Sequence, residues 1–242
     1  MNAEPLLAID TSSARCTVVL AIEGRCVVAE TLAQRSHKEV LLPMVAKLAE
    51  HSGVALRSLK LLGCVVGPGS FTGVRIGVAA AQALALAAGA TVVRLHALQL
   101  AALAHCRAQS EPSAGTLVSW RHSRAELYYA SALDVTTAPA PIVAIADGPA
   151  LAPRTVLLES MSAYEQWQAP CEPPLAHIGE LPPGLSLPAP IDQVTSAVAD
   201  DVQLRAETLT RAVLAGREVR LALAPEAALP LYLEADSPWQ PS

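Results

Sequence analysis

Aromatic and charged side chains are both scarce in this chain of 242 residues. Aromatic residues make up 3% of the sequence and charged residues 16%, and the formal net charge at pH 7 is -5. An acidic chain has no basic field that holds nucleic acid by itself. So few aromatic side chains also argue against a surface on which bases stack. Any contact with RNA would therefore need cations supplied by a partner protein.

Paired cysteines and metal-binding histidine spacings are also absent. The six histidines show neither HxxxH nor HExxH spacing, so no metal site is predicted on one helix face. The cysteines are odd in number, contain no CxxC pair and predict free thiols in a reducing, cytoplasmic compartment. A hairpin turn at Glu23-Gly24 would not place Cys16 and Cys26 opposite each other. The five are Cys16, Cys26, Cys64, Cys106 and Cys171.

The common nucleotide-binding motifs are incomplete in the glycine-rich run from Gly67 to Val78, GPGSFTGVRIGV. A Walker loop needs Lys and then Ser or Thr directly after its last glycine, whereas Val74 and Arg75 follow Gly73 here. The dinucleotide fingerprint GxGxxG is also missed, because the glycine spacing is one residue out of step. The run therefore favours a tight strand-to-helix turn over a nucleotide site.

One uncharged segment, from Ile76 to Val93, is long enough to cross a bilayer. It is rich in alanine, and Gly89 followed by Thr91-Val-Val is typical of a helix end that leads into a strand. We therefore expect a buried helix and a buried strand in this segment, and no membrane span.

The first hundred residues predict a sheet with flanking helices. Three strands joined by tight turns precede an alternation of helix and strand, and the last two strands can lie parallel through right-handed crossovers. Ser36 and Glu39 form a capping-box pattern at the first helix, and Pro43 should kink that helix. The strands are Leu6–Ile9, Cys16–Ile22, Cys26–Leu32, Leu61–Val66 and Val92–Leu95, and the helices run from Ser36 to His51, Val74 to Ala88 and Ala97 to Arg107.

This is the element order of a ribonuclease H-like lobe, which in duplicate builds the actin, hexokinase and Hsp70 superfamily. The sequence after residue 110 predicts a second, degraded lobe in which proline is concentrated, with 11 of the 19 prolines between Pro139 and Pro190. We expect a first lobe over 1–107, a smaller lobe over 108–215 and a tail over 216–242, which is either an ordered arm or frayed. The elements expected are strands Thr116–Trp120, Ala125–Leu133 and Ile142–Ala146, and an amphipathic helix from Thr195 to Ala215 that ends at Gly216.

Asp10 ends the first strand and is followed by the hydroxyl residues Thr11, Ser12 and Ser13. In ribonuclease H-like nucleases the first carboxylate helps to hold metal, and in the phosphotransfer superfamily this loop contacts phosphate. A two-metal nuclease needs further carboxylates, and the strand that ends at Val66 offers Gly-Pro instead. The four residues are candidates to face a phosphate group, and the alternative is a solvated strand end or a capping turn.

The helix after the glycine run is apolar on every side, and small residues four apart form a ridge along it. We expect Ile76, Ala80 and Leu84 to cover the sheet while the ridge meets a second helix, from this chain over Lys38–Glu50 or from a partner. Because a single internal neighbour leaves apolar surface exposed, a partner is favoured. Gly77→Leu should then disrupt assembly without unfolding the monomer. The predicted interface is Ser70, Phe71, Thr72, Gly73, Val74, Arg75, Gly77, Val78, Ala81 and Ala85.

Taken together, these motifs closely resemble the TsaB (YeaZ) family, densely over the first hundred residues and thinly thereafter. The family run is GPGSFTGVRIG at 67–77, supported by Asp10-Thr-Ser-Ser, Ser36-His and then Leu41-Leu-Pro, Glu126-Leu-Tyr and Pro230-Leu-Tyr-Leu. The resemblance implies an α/β, actin-like ATPase fold with two lobes. The chain departs from the family pattern at two places. It has Arg121-His-Ser where the family commonly has an Asp-Ala-Arg-like stretch, and Glu234 where the family often has an arginine.

The resemblance also implies a function. The chain would be a non-catalytic paralogue that pairs with the TsaD-type transferase, which threonylcarbamoylates adenosine next to the anticodon of tRNA. A TsaE-type ATPase would join the complex, and tRNA would be contacted through the complex. No cofactor or metal of its own is implied, although ATP can lie at the complex, and the isolated chain can pair with itself. The alternative is a stand-alone actin-fold ATPase or phosphotransferase that uses Asp10 to Ser13, or a peptidase.

Overall fold

The computed structural model describes residues 4–33, 36–109, 116–124, 126–134, 155–158, 161–168, 176–183 and 201–233. Some predictions fall outside these residues. They are the strand Ile142–Ala146, the start of the helix expected from Thr195, the thiol of Cys171 and the departure at Glu234.

The first sheet has six strands. Its strands in chain order are β1 (Leu6–Asp10), β2 (Arg15–Ile22), β3 (Arg25–Leu32), β4 (Leu61–Gly67), β5 (Thr91–His96) and β10 (Ala222–Leu223). Their order across the sheet is β10-β5-β4-β1-β2-β3, with β1 parallel to β4 and β4 parallel to β5. The β2–β3 pairing places Cys16 opposite Thr31 and Cys26 opposite Ala21, so the two thiols are apart as predicted.

Three helices alternate with these strands in the predicted order: α1 (His37–His51), α2 (Phe71–Ala88) and α3 (Ala97–Ala108). The ribonuclease H-like element order of the first lobe is therefore confirmed. Two local details differ. Ser36 stands at the N-cap of α1 without a side-chain cap hydrogen bond, and α1 is assigned as one continuous helix through Pro43.

A second sheet contains β6 (Thr116–Arg124), β7 (Leu127–Asp134), β8 (Thr155–Leu158) and β9 (Ala176–Gly179), in the order β8-β7-β6-β9. The short helix α4 (Met161–Gln168) packs against β8. Two of the strands predicted for this half are thus present among the described residues. The first extends beyond Trp120 to Arg124, because the β6–β7 pairing continues to that residue across a bulge.

The long helix α5 (Val202–Glu218) returns to the first sheet. Asp201 caps it, since its Oδ1 accepts a hydrogen bond from the Leu204 amide at 2.9 Å. Gly216, expected as the stop, is buried inside the helix, which ends two residues later. Val213 of α5 packs so closely against β4 that a Cβ on Gly63 would overlap its methyl group. The expected amphipathic helix is therefore present, and its apolar face covers the first sheet.

The residues after α5 form an arm, called the tail arm here, from Pro225 to Leu233. It begins with a 3-10 turn and then runs beside the end of β4, where the Leu231 amide donates to the Val66 carbonyl at 2.8 Å. Ala228 is fully buried in the first core. Of the two readings of the tail, the ordered arm is therefore the observed one over these residues.

Apolar side chains cover both faces of the first sheet because successive residues of a strand point to opposite sides. In β1, Leu7 and Ile9 pack with α1 and α2, whereas Leu6 and Ala8 pack with α3 and α5. Glu30 ties α5 to the β2–β3 hairpin by accepting hydrogen bonds from Arg205 at 2.6 Å, Thr17 at 2.8 Å and Arg15 at 3.1 Å. Burial opposes ionisation of Glu30, but these bonds and the two arginine charges outweigh it and lower its pKa.

Candidate functional site

The small residues of α2 face the chain's own sheet. A Cβ on Gly73 would overlap the carbonyl oxygen of Thr11, and one on Gly77 would overlap Thr11 Oγ1. That hydroxyl donates to the Gly73 carbonyl at 2.7 Å, and Ala81 and Ala85 are fully buried in the same layer. At Gly73 and Gly77 the expectation that this ridge meets a second helix is therefore wrong, because Thr11, directly after β1, approaches the helix backbone there.

This orientation corrects the predicted interface. Six of its members are buried in the core of the chain, so they cannot contact a partner directly: Gly73, Val74, Gly77, Val78, Ala81 and Ala85. Ile76, Ala80 and Leu84, expected to cover the sheet, are only half-buried at the edge of that core. Ser70, Phe71, Thr72 and Arg75 are exposed, and their role in an interface stays a prediction.

The opposite side of α2 is exposed and mainly apolar. We call it the outer face, and its residues are Phe71, Thr72, Arg75, Ala79, Ala83 and Leu86. Leu86 is 74% exposed and Phe71 39%. By length and composition α2 could cross a membrane, yet its inner face packs on the sheet and β5 follows it, as the sequence predicts. A solvated helix face with one charge is typical of a surface that a protein partner covers.

Exposed apolar side chains are also found next to this helix. Seven large apolar residues among those described are exposed, and five belong to α1, α2 or the tail arm. Besides the two on α2, they are Leu42, Leu229 and Tyr232. The tail arm contacts α2 directly, since Gln82 Nε2 donates to the Ala228 carbonyl at 3.3 Å. Apolar exposure is therefore concentrated on α2 and the segments beside it.

Arg75 joins the outer face to the tail arm. Its guanidinium carbon lies 3.6 Å from the centroid of the Phe71 ring and 5.4 Å from that of Tyr232. Its Nε donates to the Tyr232 hydroxyl at 2.8 Å. The two rings are 6.2 Å apart. The cation is thus held between an α2 ring and a tail-arm ring.

The glycine loop between β4 and α2 forms a tight turn, as predicted. Ser70 caps α2, because its Oγ accepts from the Gly73 amide at 3.2 Å, and its own amide donates to the Ser12 carbonyl at 2.7 Å. Gly67 has a φ of 121°, which favours glycine. The loop is therefore held against the turn that follows β1.

Arg121, the first residue of the unusual Arg-His-Ser stretch, lies between these two turns. Its Nη1 donates to the Pro68 carbonyl at 3.0 Å, to Ser12 Oγ at 3.1 Å and more weakly to the Ser12 carbonyl at 3.5 Å. Arg121 comes from β6 of the second sheet, whereas its acceptors belong to the first lobe. One guanidinium nitrogen therefore connects the lobes where the two turns meet.

The four phosphate-facing candidates are engaged in hydrogen bonds within the chain. Asp10 Oδ1 accepts from the Ser12 amide at 2.8 Å, and Ser13 Oγ accepts from the Arg15 amide at 3.1 Å. Thr11 and Ser12 are fully buried, and their hydroxyls contact Gly73 and Arg121. The geometry supports the capping-turn alternative, and a phosphate contact stays a prediction.

Two cavities border this junction. The larger has a volume of about 820 Å³ and the smaller about 320 Å³; Ser13, Arg121 and Glu180 line both. The larger is bounded by the start of α2 and by the β6–β7 hairpin, whereas Asp10 and residues of α3 and α5 line the smaller. Among the described residues, no three His, Cys, Asp or Glu side chains are grouped as a metal would require.

The sequence predicts only surface or capping positions for histidine, but four of the described histidines are buried: His37, His96, His105 and His177. His96 does cap α3, with Nδ1 accepting from the Gln99 amide at 3.3 Å, but it is fully buried. Its Nε2 pairs with Thr155 Oγ1 at 2.9 Å, and that hydroxyl pairs with Ser131 Oγ at 2.9 Å. Burial and then the Arg121 charge lower the pKa of His96 to about 3. Its position between a buried strand and an apolar helix was the available signal.

A second fully buried histidine lies within the second lobe. His177 is fully buried, and its Nδ1 accepts from Trp120 Nε1 at 3.1 Å. Burial lowers its pKa to about 4. Both histidines are therefore neutral structural groups that connect strands.

A sequence profile described as "TsaD: tRNA N6-adenosine threonylcarbamoyltransferase" matches residues 27–162 of the chain. The Haemophilus influenzae protein described as "tRNA threonylcarbamoyladenosine biosynthesis protein TsaB" is 43% identical over 88 residues, or 36% of this chain and 37% of that protein. The Escherichia coli protein of the same description is 45% identical over 83 residues, covering 34% of this chain and 36% of that protein. The matched segment thus spans well under half of these relatives.

A solved structure extends the likeness over the whole fold. It is described as an uncharacterized protein with similarity to peptidase YeaZ from Pseudomonas aeruginosa. It has a TM-score of 0.71 and 25% identity, and the match covers 96% of this chain and 100% of that one. The predicted two-lobed, actin-like α/β fold and the resemblance to TsaB (YeaZ) proteins are confirmed.

Proposed function

The chain belongs to the family of the TsaD profile, as a protein of the TsaB (YeaZ) type, and we propose that it is a non-catalytic subunit of the tRNA threonylcarbamoyladenosine machinery. In this role it docks on a TsaD-type transferase paralogue and activates it. A TsaE-type ATPase completes the assembly, ATP lies at the complex, and tRNA is reached through the complex. The setting is the cytoplasm.

One observation carries the proposal: the outer face of α2 is apolar, exposed and flanked by further exposed apolar side chains on α1 and the tail arm. Burying such a surface stabilises a complex by about 25 cal/mol per Å² of apolar area. The turns that would hold a nucleotide are already occupied by contacts within the chain, Thr11 with Gly73 and Ser12 with Arg121. The lobe is thus better suited to docking than to chemistry.

The docking surface is tested with Leu86→Glu. Leu86 is 74% exposed, so the variant should fold, but a carboxylate placed within an apolar interface remains unpaired there. We expect affinity for the TsaD-type protein of the same organism to fall by at least about thirtyfold. Isothermal titration calorimetry measures it, with formation of the modified nucleoside in reconstituted tRNA as the second readout.

The matched control is Leu32→Glu, because Leu32 is 66% exposed but lies on β3, at the far edge of the sheet. This control should bind as the wild type does. Equal affinity for both variants would contradict docking through α2. Sedimentation of the isolated chain, with and without the TsaD-type protein, separates the heterodimer from a homodimer.

The alternative of a stand-alone ATPase has its own test. Tight binding of ATP and Mg²⁺ by the isolated chain, abolished by Asp10→Ala, would favour that enzyme over the docking subunit. The hydrogen bonds that Asp10, Thr11 and Ser12 make within the chain are the reason we expect no such binding.

A further inference from the structure

Arg75 is the one charged residue of the outer face of α2, and its contacts fix its position. The guanidinium stacks on the Phe71 ring at 3.6 Å, within the range of a cation–π contact. Its Nε is engaged by the Tyr232 hydroxyl at 2.8 Å. A long exposed side chain is thus ordered before any partner arrives.

Among the described residues, neither terminal nitrogen of this guanidinium has a hydrogen-bond partner. Within the described part of the chain, the hydrogen bond from Nε to Tyr232 is the polar contact that Arg75 makes. Two parallel N–H groups in a planar fork match the two oxygens of a carboxylate, and such bidentate pairs are among the stronger polar contacts in proteins. Because the side chain is already ordered, little further conformational entropy is lost on pairing.

We infer that Arg75 is a specificity-determining residue of the docking surface, where it pairs with a carboxylate of the TsaD-type partner. The tail arm acts through it, since Tyr232 positions the guanidinium. This inference rests on the proposed function. It adds the chemistry of the contact, an acidic side chain beside an apolar interface, and it gives the tail arm a role in recognition.

The surroundings favour a protein carboxylate over an RNA phosphate. Phe71 and Tyr232, both partly exposed, contact Arg75, further exposed apolar side chains lie along α2 and the tail arm, and no second cation lies on the outer face. Backbone recognition of RNA draws its affinity from several cations acting together, whereas this chain carries a net charge of -5. A single arginine bordered by apolar side chains is instead typical of protein interfaces.

Three variants test the contact by isothermal titration calorimetry against the purified TsaD-type protein at several salt concentrations. Arg75→Gln removes the charge and should weaken binding about thirtyfold. Arg75→Lys keeps the charge but loses the fork and should weaken it about tenfold. Tyr232→Phe keeps the ring but releases Nε and should weaken it about threefold. The Arg75→Gln complex should also depend less on salt than the wild-type complex.

The control is Arg57→Gln, an exposed arginine on the 3-10 turn Leu56–Ser58, which should bind as the wild type does. If Arg75→Gln binds within twofold of the wild type while Leu86→Glu does not bind, the inference is wrong and the docking proposal stands. If the wild type itself does not bind, both are wrong. Loss of tRNA binding by Arg75→Gln, with unchanged protein affinity, would assign the fork to RNA and overturn the inference.

Discussion

The first lobe and its junction with the second lobe are held together by different interactions. Apolar layers cover both faces of the first sheet, and close backbone approach at Gly73 and Gly77 lets α2 lie flat on β1. Buried and partly buried polar groups contribute at the junction, where His96 reaches Thr155 and Arg121 reaches Ser12 and Pro68.

The difference has a physical consequence. Apolar packing depends on shape and volume and is insensitive to pH, so the first lobe should respond mainly to changes in side-chain size. A buried polar junction responds to the loss of a single donor or acceptor and to protonation, because an unpaired buried group is costly. The two parts of the molecule should therefore fail under different perturbations.

The largest effect is expected from overpacking the first lobe. Gly77→Ala places a methyl group against Thr11 Oγ1 and should lower the free energy of unfolding by about 1–3 kcal/mol. Gly77→Leu should fail to fold, in contrast to the expectation from sequence that it only disrupts assembly. Urea denaturation measures the first variant and soluble yield the second. The matched control is Ala83→Leu on the outer face, and an equal loss there would contradict the orientation of α2.

An intermediate effect is expected at His96. Its pKa is about 3 in the folded chain and near its ordinary 6.5 in the unfolded chain. The unfolded state therefore binds a proton first, and stability present above pH 6.5 is lost as the pH falls from there towards 3. Between pH 7.5 and 5 this loss should be about 2 kcal/mol.

The check is urea denaturation at both pH values. His96→Leu should be less stable than the wild type at pH 7.5 but should lose less on acidification, because the titrating group is gone. His51→Gln is the control, since His51 is exposed at the end of α1. An unchanged pH dependence in His96→Leu would contradict this assignment. The loss of stability would then be attributed to buried His177, whose pKa is also lowered.

The smallest effect is expected at Arg121, which is only partly buried. Arg121→Ala removes the donor shared by Ser12 and Pro68 and should lower the free energy of unfolding by about 1 kcal/mol. Amide hydrogen exchange should accelerate at the turn after β1 and in the glycine loop, while the sheet layers stay protected. Arg124→Ala, an exposed neighbour on β6, is the control. Equal exchange rates in both variants would contradict the role of Arg121 in holding the two turns together.

The order of elements in the first lobe could be predicted from sequence because local signals agree there. The apolar strand before Asp10 and Gly89 at the end of α2 each act within a few residues, whereas the Ser70 cap was missed, because the helix was expected from Val74 and begins at Phe71. The exposure of Phe71, Thr72 and Arg75 was also consistent with the proposed interface. Periodicity thus located the helix, but it assigned the wrong side of that helix to the sheet.

Tertiary contacts decided what the sequence could not. Small residues four apart predict close approach, but the pattern does not say whether a sheet or a helix approaches, and Thr11 settles this for Gly77. Gly216 resembled a helix stop, yet it is buried within α5. His96 depends on Thr155, 59 residues further along the chain, so no local signal identified its partner.

The way the chain returns to its first sheet has a consequence for biosynthesis. The edge strand β10 pairs with β5, α5 covers one sheet face and the tail arm binds the Val66 carbonyl, although all three lie beyond residue 200. A nascent chain of about 110 residues therefore exposes a sheet face covered only in part, by α3, and an unpaired strand edge while the rest is translated. Contacts of such long sequence separation slow folding. The first lobe is thus the first to be synthesised but can be completed only after nearly the whole chain has left the ribosome.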